Sequence, residues 1–245
     1  MTKTHKTAKI TAVALTLAIL AGMFCMFGTA SANAATARVS LYNSGVTFAK
    51  YGMTTSEIFV KTNDNANDQL VTVHYNYLDN FAWKDAKAEY VTTLDDGAKL
   101  WKAVITSYNT RYAIKYVADG ETFWDNNNGK DYTTADVLGT APVTVQRLGY
   151  QYGNTYQIDA VLQNYAYNKS VVVRYTTDGW KTYKDQNLGY KNTNDNGTET
   201  WTTTLNIDNT EIGQFEYAVR YNVYGTEYWA NNLGDNYDVM YCIHH

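Results

Sequence analysis

QNYAYNKSVVVRYTTDGWKTYKD, residues 163–185, decides the fold. Val171, Val173 and Tyr175 alternate with Val172 and Arg174, a period of two that puts one apolar set on one face of a strand. Asp178-Gly179 then supplies a turn. One hundred residues earlier the chain reads the same way. Val71, Val73 and Tyr75 match Val171, Val173 and Tyr175, and Ile58 matches Ile158. Lys84-Asp85 matches Lys184-Asp185, and Tyr90, Gly97 and Trp101 match Tyr190, Gly197 and Trp201.

After a five-residue insertion in the second copy the offset becomes 105, and residues 112–132 and 217–237 share nine identities in 21 positions. Self-similarity at a fixed spacing is the mark of a duplicated unit. Tyr112, Ile114 and Tyr116 alternate with Ala113 and Lys115; Tyr217, Val219 and Tyr221 alternate with Ala218 and Arg220. Turn residues fall between these runs at Asp95-Asp96-Gly97, Asp119-Gly120, Asn128-Gly129, Asn196-Gly197 and Tyr224-Gly225. Tyr, Thr, Val and Trp favour strands, and no amphipathic helical period follows residue 34. The expectation is an all-β chain of two immunoglobulin-like antiparallel β-sandwich domains in tandem. The boundary is expected near Leu138–Pro142, at the only proline, giving domains 35–141 and 142–245.

The first 34 residues read as an export signal. Lys3, Lys6 and Lys9 open it, an apolar run extends from Ile10 to Phe27, and Ala32-Asn33-Ala34 closes it. Thr11, Thr16 and Gly22 interrupt the run, which argues against a membrane-spanning helix. Met23 and Phe24 precede Cys25, where a lipoprotein site wants small residues. No later run is long enough to span a membrane. A secreted or extracellular location is expected, with retention at the cell surface left open.

Removing the signal takes three lysines and no acid from 20 Lys and Arg against 24 Asp and Glu, leaving seven negative charges in excess. That balance speaks against nucleic acid or an anionic membrane as partner. Cys242 is then the sole cysteine and His74, His244 and His245 the only histidines, so neither a disulfide nor a zinc site is expected. The segment from Asp125 to Asp131 imitates a calcium loop, but Gly129 is its fifth residue rather than its sixth, and Ala230 stands opposite Asp125 in the second copy. No nucleophile, zincin or P-loop motif is present. The paired carboxylates of a glycosidase are matched only by loop acids such as Asp95-Asp96 and those between Asp64 and Asp68. No catalytic residues, metal or cofactor are expected.

The aromatics carry the functional signal. Trp101 and Trp201 lie in alternating stretches and are expected in the core. Trp124 and Trp229 instead open WDNNNGKDY and WANNLGDNY, and Trp180 follows a turn. A flat ring beside amides suits a pyranose: the ring covers the C–H face, and asparagine both donates to and accepts from hydroxyls.

Residues 163–185 together with WANNLGDNY resemble the family 21 carbohydrate-binding modules of fungal glucoamylases and glycogen-targeting phosphatase subunits. DNF at 79–81, KAEY at 87–90 and WDNNNGKDY extend the likeness to the first copy, so that it covers about 55–140 and 155–240. The resemblance implies non-catalytic binding of α-glucan (starch, glycogen or maltooligosaccharide). It implies a first sugar site at Trp180, Trp229, Asn231 and Asn232. The matching first-copy residues are Phe81, with Trp83 as the alternative platform, Trp124, Asn126, Asn127 and Asn128. A second implied site comprises Tyr167, Lys169 and Tyr190 with Asn164 nearby; in the first copy Asn67 and Gln69 leave only Tyr90. Other secreted amylolytic proteins are candidate partners. The alternative is an extracellular repeat protein acting as a protein-interaction or spacer module.

Overall fold

The computed structural model describes residues 37–238, apart from 52, 77–81, 109, 136, 147–150 and 153. The expected export signal, Phe81, Cys242, His244 and His245 lie outside the described residues. The first half contains β1 (Val39–Lys50), β2 (Met53–Thr62), β3 (Gln69–Asn76), β4 (Trp83–Lys87), β5 (Glu89–Thr93), β6 (Lys99–Tyr108), β7 (Arg111–Ala118), β8 (Glu121–Asp125), β9 (Tyr132–Thr133) and β10 (Val137–Leu138). The second contains β11 (Val143–Gln146), β12 (Gln151–Tyr152), β13 (Thr155–Leu162), β14 (Lys169–Thr176), β15 (Lys184–Asn187), β16 (Gly189–Thr193), β17 (Glu199–Asn206), β18 (Glu216–Val223), β19 (Thr226–Ala230) and β20 (Tyr237–Asp238). Two short 3₁₀ turns, Ile212–Gln214 and Asn232–Gly234, are the only helical pieces among the described residues.

All pairings are antiparallel and build four sheets. Sheet A runs β10-β1-β2-β6-β5 and sheet B runs β4-β3-β7-β8, with β9 beside β7. Sheet C runs β11-β13-β17-β16, with β12 beside β13, and sheet D runs β15-β14-β18-β19, with β20 beside β18. Sheets A and B enclose one core, in which Ile58, Val60, Ala103 and Ile105 meet Val71, Val73, Ile114 and Tyr116. Sheets C and D enclose another, where Tyr156, Ile158 and Leu205 meet Val171, Val173, Val219 and Tyr221. Each fully buried Val or Ile contributes about 1.5–3 kcal/mol by leaving water, so the period-two runs supply the main stabilising term.

The registers of sheets B and D agree position by position. Val71 faces Tyr116 and Thr72 faces Lys115, as Val171 faces Tyr221 and Val172 faces Arg220. Trp101 and Trp201 differ from expectation: both are half-buried at the margin of their cores. Their indole nitrogens donate to Thr62 Oγ1 at 3.0 Å and Glu199 Oε2 at 2.9 Å. An indole N–H needs a polar partner, which holds each ring at the edge of its sandwich rather than deep inside.

The described residues pack as one compact unit. The passage at 139–142 is fastened on both sides. Gly139 N and Ala141 N donate to Tyr42 O at 3.1 and 2.9 Å, Thr140 N donates to Leu41 O at 2.9 Å, and Gln163 Nε2 donates to Gly139 O at 2.7 Å. A Cβ on Gly139 would sit 2.1 Å from Leu41 O, so only glycine allows this approach. Leu138, Ala141 and Val161 form a small apolar cluster there with Tyr42 against it. Phe59 and Leu100 point away from the core of sheets A and B, yet are only 8% and 0% exposed.

Candidate functional site

The outer face of sheet D carries an alternation of rings and cations. Arg174 lies opposite Asp185 across β14 and β15, and Arg220 lies opposite Trp229 across β18 and β19. Arg174 Nε and Nη2 donate to the two oxygens of Asp185, each at 2.8 Å. Its guanidinium carbon is 4.1 Å from the centre of the Tyr183 ring and 5.6 Å from that of Trp229. Arg220 lies 5.8 Å from the Trp229 ring and donates to Glu227 Oε1 at 3.2 Å. The Arg174 hydrogen bonds hold the Asp185 carboxyl below the usual carboxylate range. Such cation–ring contacts contribute about 0.5–1 kcal/mol each at exposed positions. They fix the Trp229 ring while leaving it 39% exposed.

Sheet B presents the same positions with other residues. His74 lies opposite Asp85, with Nδ1 2.5 Å from Oδ1, and Trp124 lies opposite Lys115. The His74 ring stacks on Trp83 at 4.8 Å and meets Trp124 edge-on at 5.6 Å. Trp83 and Trp124 are 39% and 49% exposed. Trp83 therefore occupies the position of Tyr183, not that of Trp180, and it and Trp124 flank His74 as Tyr183 and Trp229 flank Arg174.

Trp180 sits elsewhere on the second half. Thr176 Oγ1 accepts from the Trp180 and Asp178 amides at 3.1 and 3.2 Å, and Asp178 accepts from the Thr182 amide and hydroxyl. Those bonds, the Thr182 amide first, draw the Asp178 carboxyl down to about 2. They also force Trp180 into the left-handed region, at φ 63°. Its indole N–H donates to Glu216 Oε2 at 2.5 Å, and Asn236 Nδ2 reaches the same oxygen at 3.2 Å. No ring contact joins Trp180 to Trp229 among the described residues. Trp180 is tied to Glu216 at the start of β18, whereas Trp229 lies opposite Arg220 in its middle.

The asparagines shape a repeated turn. Asn231 O accepts from the amides of Gly234 and Asn236 at 3.0 and 2.9 Å, and Asn126 O accepts from those of Gly129 and Asp131 at 3.0 and 2.9 Å. Asn127, Asn128 and Asp131 have positive φ, as do Asn232, Leu233 and Asn236. Asparagine tolerates that region best after glycine, which explains the motif locally. In the first half the side chains serve the turn itself: Gly129 N donates to Asn126 Oδ1 at 3.0 Å, and Asn127 Nδ2 donates to Asp131 O at 3.1 Å. Asp125, read as part of a false calcium loop, accepts from Leu41 N at 2.7 Å and from the Tyr132 hydroxyl at 2.9 Å. The Asn231 amide makes no bond among the described residues, so it is the freer of the two equivalents.

Of the second expected group, Asn164, Lys169 and Tyr190 are linked as a chain, which does not include Tyr167. Lys169 Nζ donates to Asn164 Oδ1 at 2.5 Å and pairs with Glu199 at 2.7 Å; Glu199 accepts from Trp201, whose ring meets Tyr190 edge-on at 6.1 Å. The Lys169 side chain is only 2% exposed. It is therefore a support for the Asn164 loop, and its ammonium is occupied in this arrangement. Tyr167 is 98% exposed and Tyr190 55%. In the first half Gln69 and Lys99 take the two places in reversed order, joined at 2.5 Å, and Tyr90 is 52% exposed beside Trp101. Asn67, opposite Tyr167, carries no ring. Among the described residues no group of three or more His, Cys, Asp or Glu could hold a metal ion.

Tyr183, Arg174, Arg220, His74 and Lys115 escaped the sequence reading. Strand parity was the available signal, since Tyr183 and Asp185 share a face and Asp185 faces Arg174.

The outer face of sheet D thus sets half-exposed rings beside an amide-bearing turn. Comparison with known proteins bears on the same half. Residues 140–240 match the model of the carbohydrate/starch-binding module family 21, which supports one such module in the second half. Glycogen-binding subunit 76A of Drosophila melanogaster is 37% identical over 78 residues, 31% of this chain and 12% of its own length. Protein phosphatase 1 regulatory subunit 3C of Bos taurus is 30% identical over 84 residues, 33% of this chain and 26% of its own. The chain thus spans well under a third of either relative. The starch-binding domain of Rhizopus oryzae glucoamylase, solved with β-cyclodextrin and maltoheptaose, aligns with 40% of this chain and 92% of its own at 24% identity and a TM-score of 0.34.

Proposed function

We propose that the protein is an exported, non-catalytic α-glucan binder in which both halves act as starch-binding β-sandwich modules. The second half carries the stronger site. The observation that bears this reading is Trp229: fixed by Arg174 and Arg220 on an open face, adjoining the unpartnered Asn231 amide, within the region that matches the family model. The indole covers the C–H face of a glucosyl ring, and the asparagine amide meets its hydroxyls. Trp180 and Tyr167 provide further rings at other edges of the same half. Sheet B repeats the platform with Trp83, His74 and Trp124, and its side-chain amides at Asn126 and Asn127 are already used by their turn. The lysine-led leader supports export, and secreted amylolytic proteins are fitting neighbours for such a binder.

The names of the relatives attach glycogen binding and phosphatase regulation to longer chains. An exported chain meets glucan rather than a cytosolic phosphatase, so only the first of those properties is proposed here. Affinity electrophoresis in gels containing soluble starch, glycogen or an unrelated β-glucan tests the reading. Retardation by the first two and not the third is expected, with no reducing sugar released. Free migration in all three gels would instead favour the spacer or protein-interaction module.

A further inference from the structure

The tip of the β18–β19 hairpin differs between the halves. Tyr224 and Gly225 form its turn with φ 54° and 79°, as Asp119 and Gly120 form the turn of β7–β8 with φ 49° and 84°. A turn of this kind favours asparagine or aspartate before the glycine, because a short polar side chain tolerates the left-handed region and a bulky ring does not. Tyr224 is therefore strained, and it is 82% exposed in that position. Strain that buries nothing is the mark of a side chain kept for what it does outside the fold. The Tyr224 hydroxyl donates to Tyr165 O at 3.1 Å, which ties the hairpin tip to the loop after β13. Tyr165 stacks on Tyr221 at 6.1 Å, lies 6.0 Å from Tyr228, and is itself 43% exposed. Phe123 faces Tyr116 as Tyr228 faces Tyr221, but the first half covers it with a cation. Arg38 lies 4.3 Å from the centre of the Phe123 ring and pairs with Asp64 at 2.9 Å and Glu121 at 3.3 Å. Among the described residues no cation lies over Tyr165, Tyr224 or Tyr228.

We infer that Tyr224 and Tyr165 form a further glucan-stacking surface on the second half, apart from the Trp229 face. This inference rests on the proposed glucan binding. Neither tyrosine belongs to the two sites that the family resemblance implies. The chemistry selects a neutral, polyhydroxylated ligand. An anion finds no cation at this tip, and the one acid beside it, Glu227, is held by Arg220 at 3.2 Å. A stable protein interface takes about 800 Å² from each partner, and two partly exposed tyrosines offer well under half of that. A single pyranose needs far less: a phenol ring covers its C–H face and leaves its hydroxyls to water. The bond from Tyr224 to Tyr165 O fixes the outer ring before a ligand arrives, which lowers the ordering cost of binding.

Full-length protein carrying Tyr224→Asp, Trp229→Ala or neither is titrated with maltoheptaose, with sedimentation velocity run alongside. Tyr224→Asp installs the residue of the first half, so its melting temperature should not fall. It should weaken one class of maltoheptaose site by about five- to thirtyfold, the scale of a lost stacked ring, and Trp229→Ala should leave that class in place. Loss with Trp229→Ala alone would overturn the tyrosine surface and keep the glucan reading; no effect from either would overturn both. Self-association abolished by Tyr224→Asp, with glucan binding unchanged, would give the tip to a second copy and overturn the inference. Should Tyr224→Asp fail to fold, the ring proton resonances of Tyr224 in the unaltered protein replace it. They should shift with maltoheptaose, and static resonances at saturation refute the inference.

Discussion

Arg174 and Asp185 join β14 to β15 through two parallel 2.8 Å hydrogen bonds, and that clamp sets the guanidinium within reach of both Tyr183 and Trp229. His74 and Asp85 hold the same positions in the first half, with Trp83 and Trp124 as the rings. Two different central residues therefore solve one problem, which is to orient a surface indole. The expected outcome is that Arg174→His retains most starch binding, whereas Arg174→Ala weakens it by about 1 kcal/mol through a looser Trp229. Calorimetric titration with maltoheptaose checks this, with melting temperature as the control. Equal losses from His and Ala would show that charge, not ring orientation, matters at this position.

Asp178 gives a pH prediction. Its carboxyl is drawn from the ordinary 3.8 down to about 2 by the Thr182 amide and hydroxyl and by Thr176. A depressed folded value contributes stability above the ordinary one, and that contribution is lost as pH falls from about 4 towards 2. The turn presenting Trp180 should therefore persist at pH 4 and open only near pH 2. The amide resonance of Thr182 reports it directly. A midpoint near 3.8 would mean that the bonds from Thr182 do not hold in solution.

Lys169 and Glu199 form a pair whose side chains are 2% and 11% exposed, and the first half holds Gln69 and Lys99 in the equivalent places. Removing one member of a buried pair strands the other and costs about 3–5 kcal/mol. Lys169→Gln and Glu199→Lys should each destabilise on roughly that scale. Together they install the first-half arrangement and should recover much of the loss. Denaturant melts of the two single variants and the double give the coupling energy. An additive result rules out the exchange.

These relationships mark what could be read from the chain beforehand. The alternation at Val71–Tyr75 and Val171–Tyr175 reports one face of one strand, but Thr72 and Val172 are buried beside their valine neighbours and Tyr75 and Tyr175 only half-buried, because the other face of the strand is partly covered as well. The Asn-Gly and Asp-Gly pairs mark turns because they tolerate positive φ, and Gly97, Gly120, Gly129 and Gly197 all adopt it. Cross-strand register is different, since it depends on which residues meet after pairing. Tyr183 was passed over for that reason, while Trp180 was favoured for its place beside a turn. Lys169 was assigned to a sugar site by resemblance alone, and its pairing with Glu199, thirty residues away on the facing sheet, leaves no local mark in the sequence. The stretch at 138–142 looked like a free boundary because its hydrogen bonds run back to β1, across nearly one hundred residues.

Trp229 and Trp201 should separate binding from stability. Trp229→Ala removes a half-exposed platform and should cost at least about 2 kcal/mol in glucan binding, the scale of a hot spot, with a near-normal melt. Trp201 packs at the core margin and bonds Glu199 at 2.9 Å, so Trp201→Ala should lower stability by about 2–4 kcal/mol, somewhat below a fully buried tryptophan. Thermal melts and starch sedimentation on both variants decide it. A larger loss of stability at Trp229 would reverse the assignment.

The last prediction concerns the two ring faces as a pair. Trp124 and Trp229 occupy equivalent positions on sheets B and D, and the pinned passage at 139–142 fixes the halves within one unit. A polymer long enough to reach both faces binds the second at an effective concentration set by that rigid geometry. Joint binding then exceeds single-face binding by on the order of 10²-fold, provided the geometry permits both at once. A short oligosaccharide occupies one face at a time and gains nothing. Trp124→Ala and Trp229→Ala should therefore each reduce affinity for polymeric starch far more than they reduce total maltotriose binding, and the double variant should abolish starch retention. All three are measured in the full-length protein, because separate halves would expose Phe59, Leu100 and Val161, which the intact unit buries. If each single variant lowers polymer and maltotriose binding by the same factor, the two faces act independently and the duplication serves capacity rather than avidity.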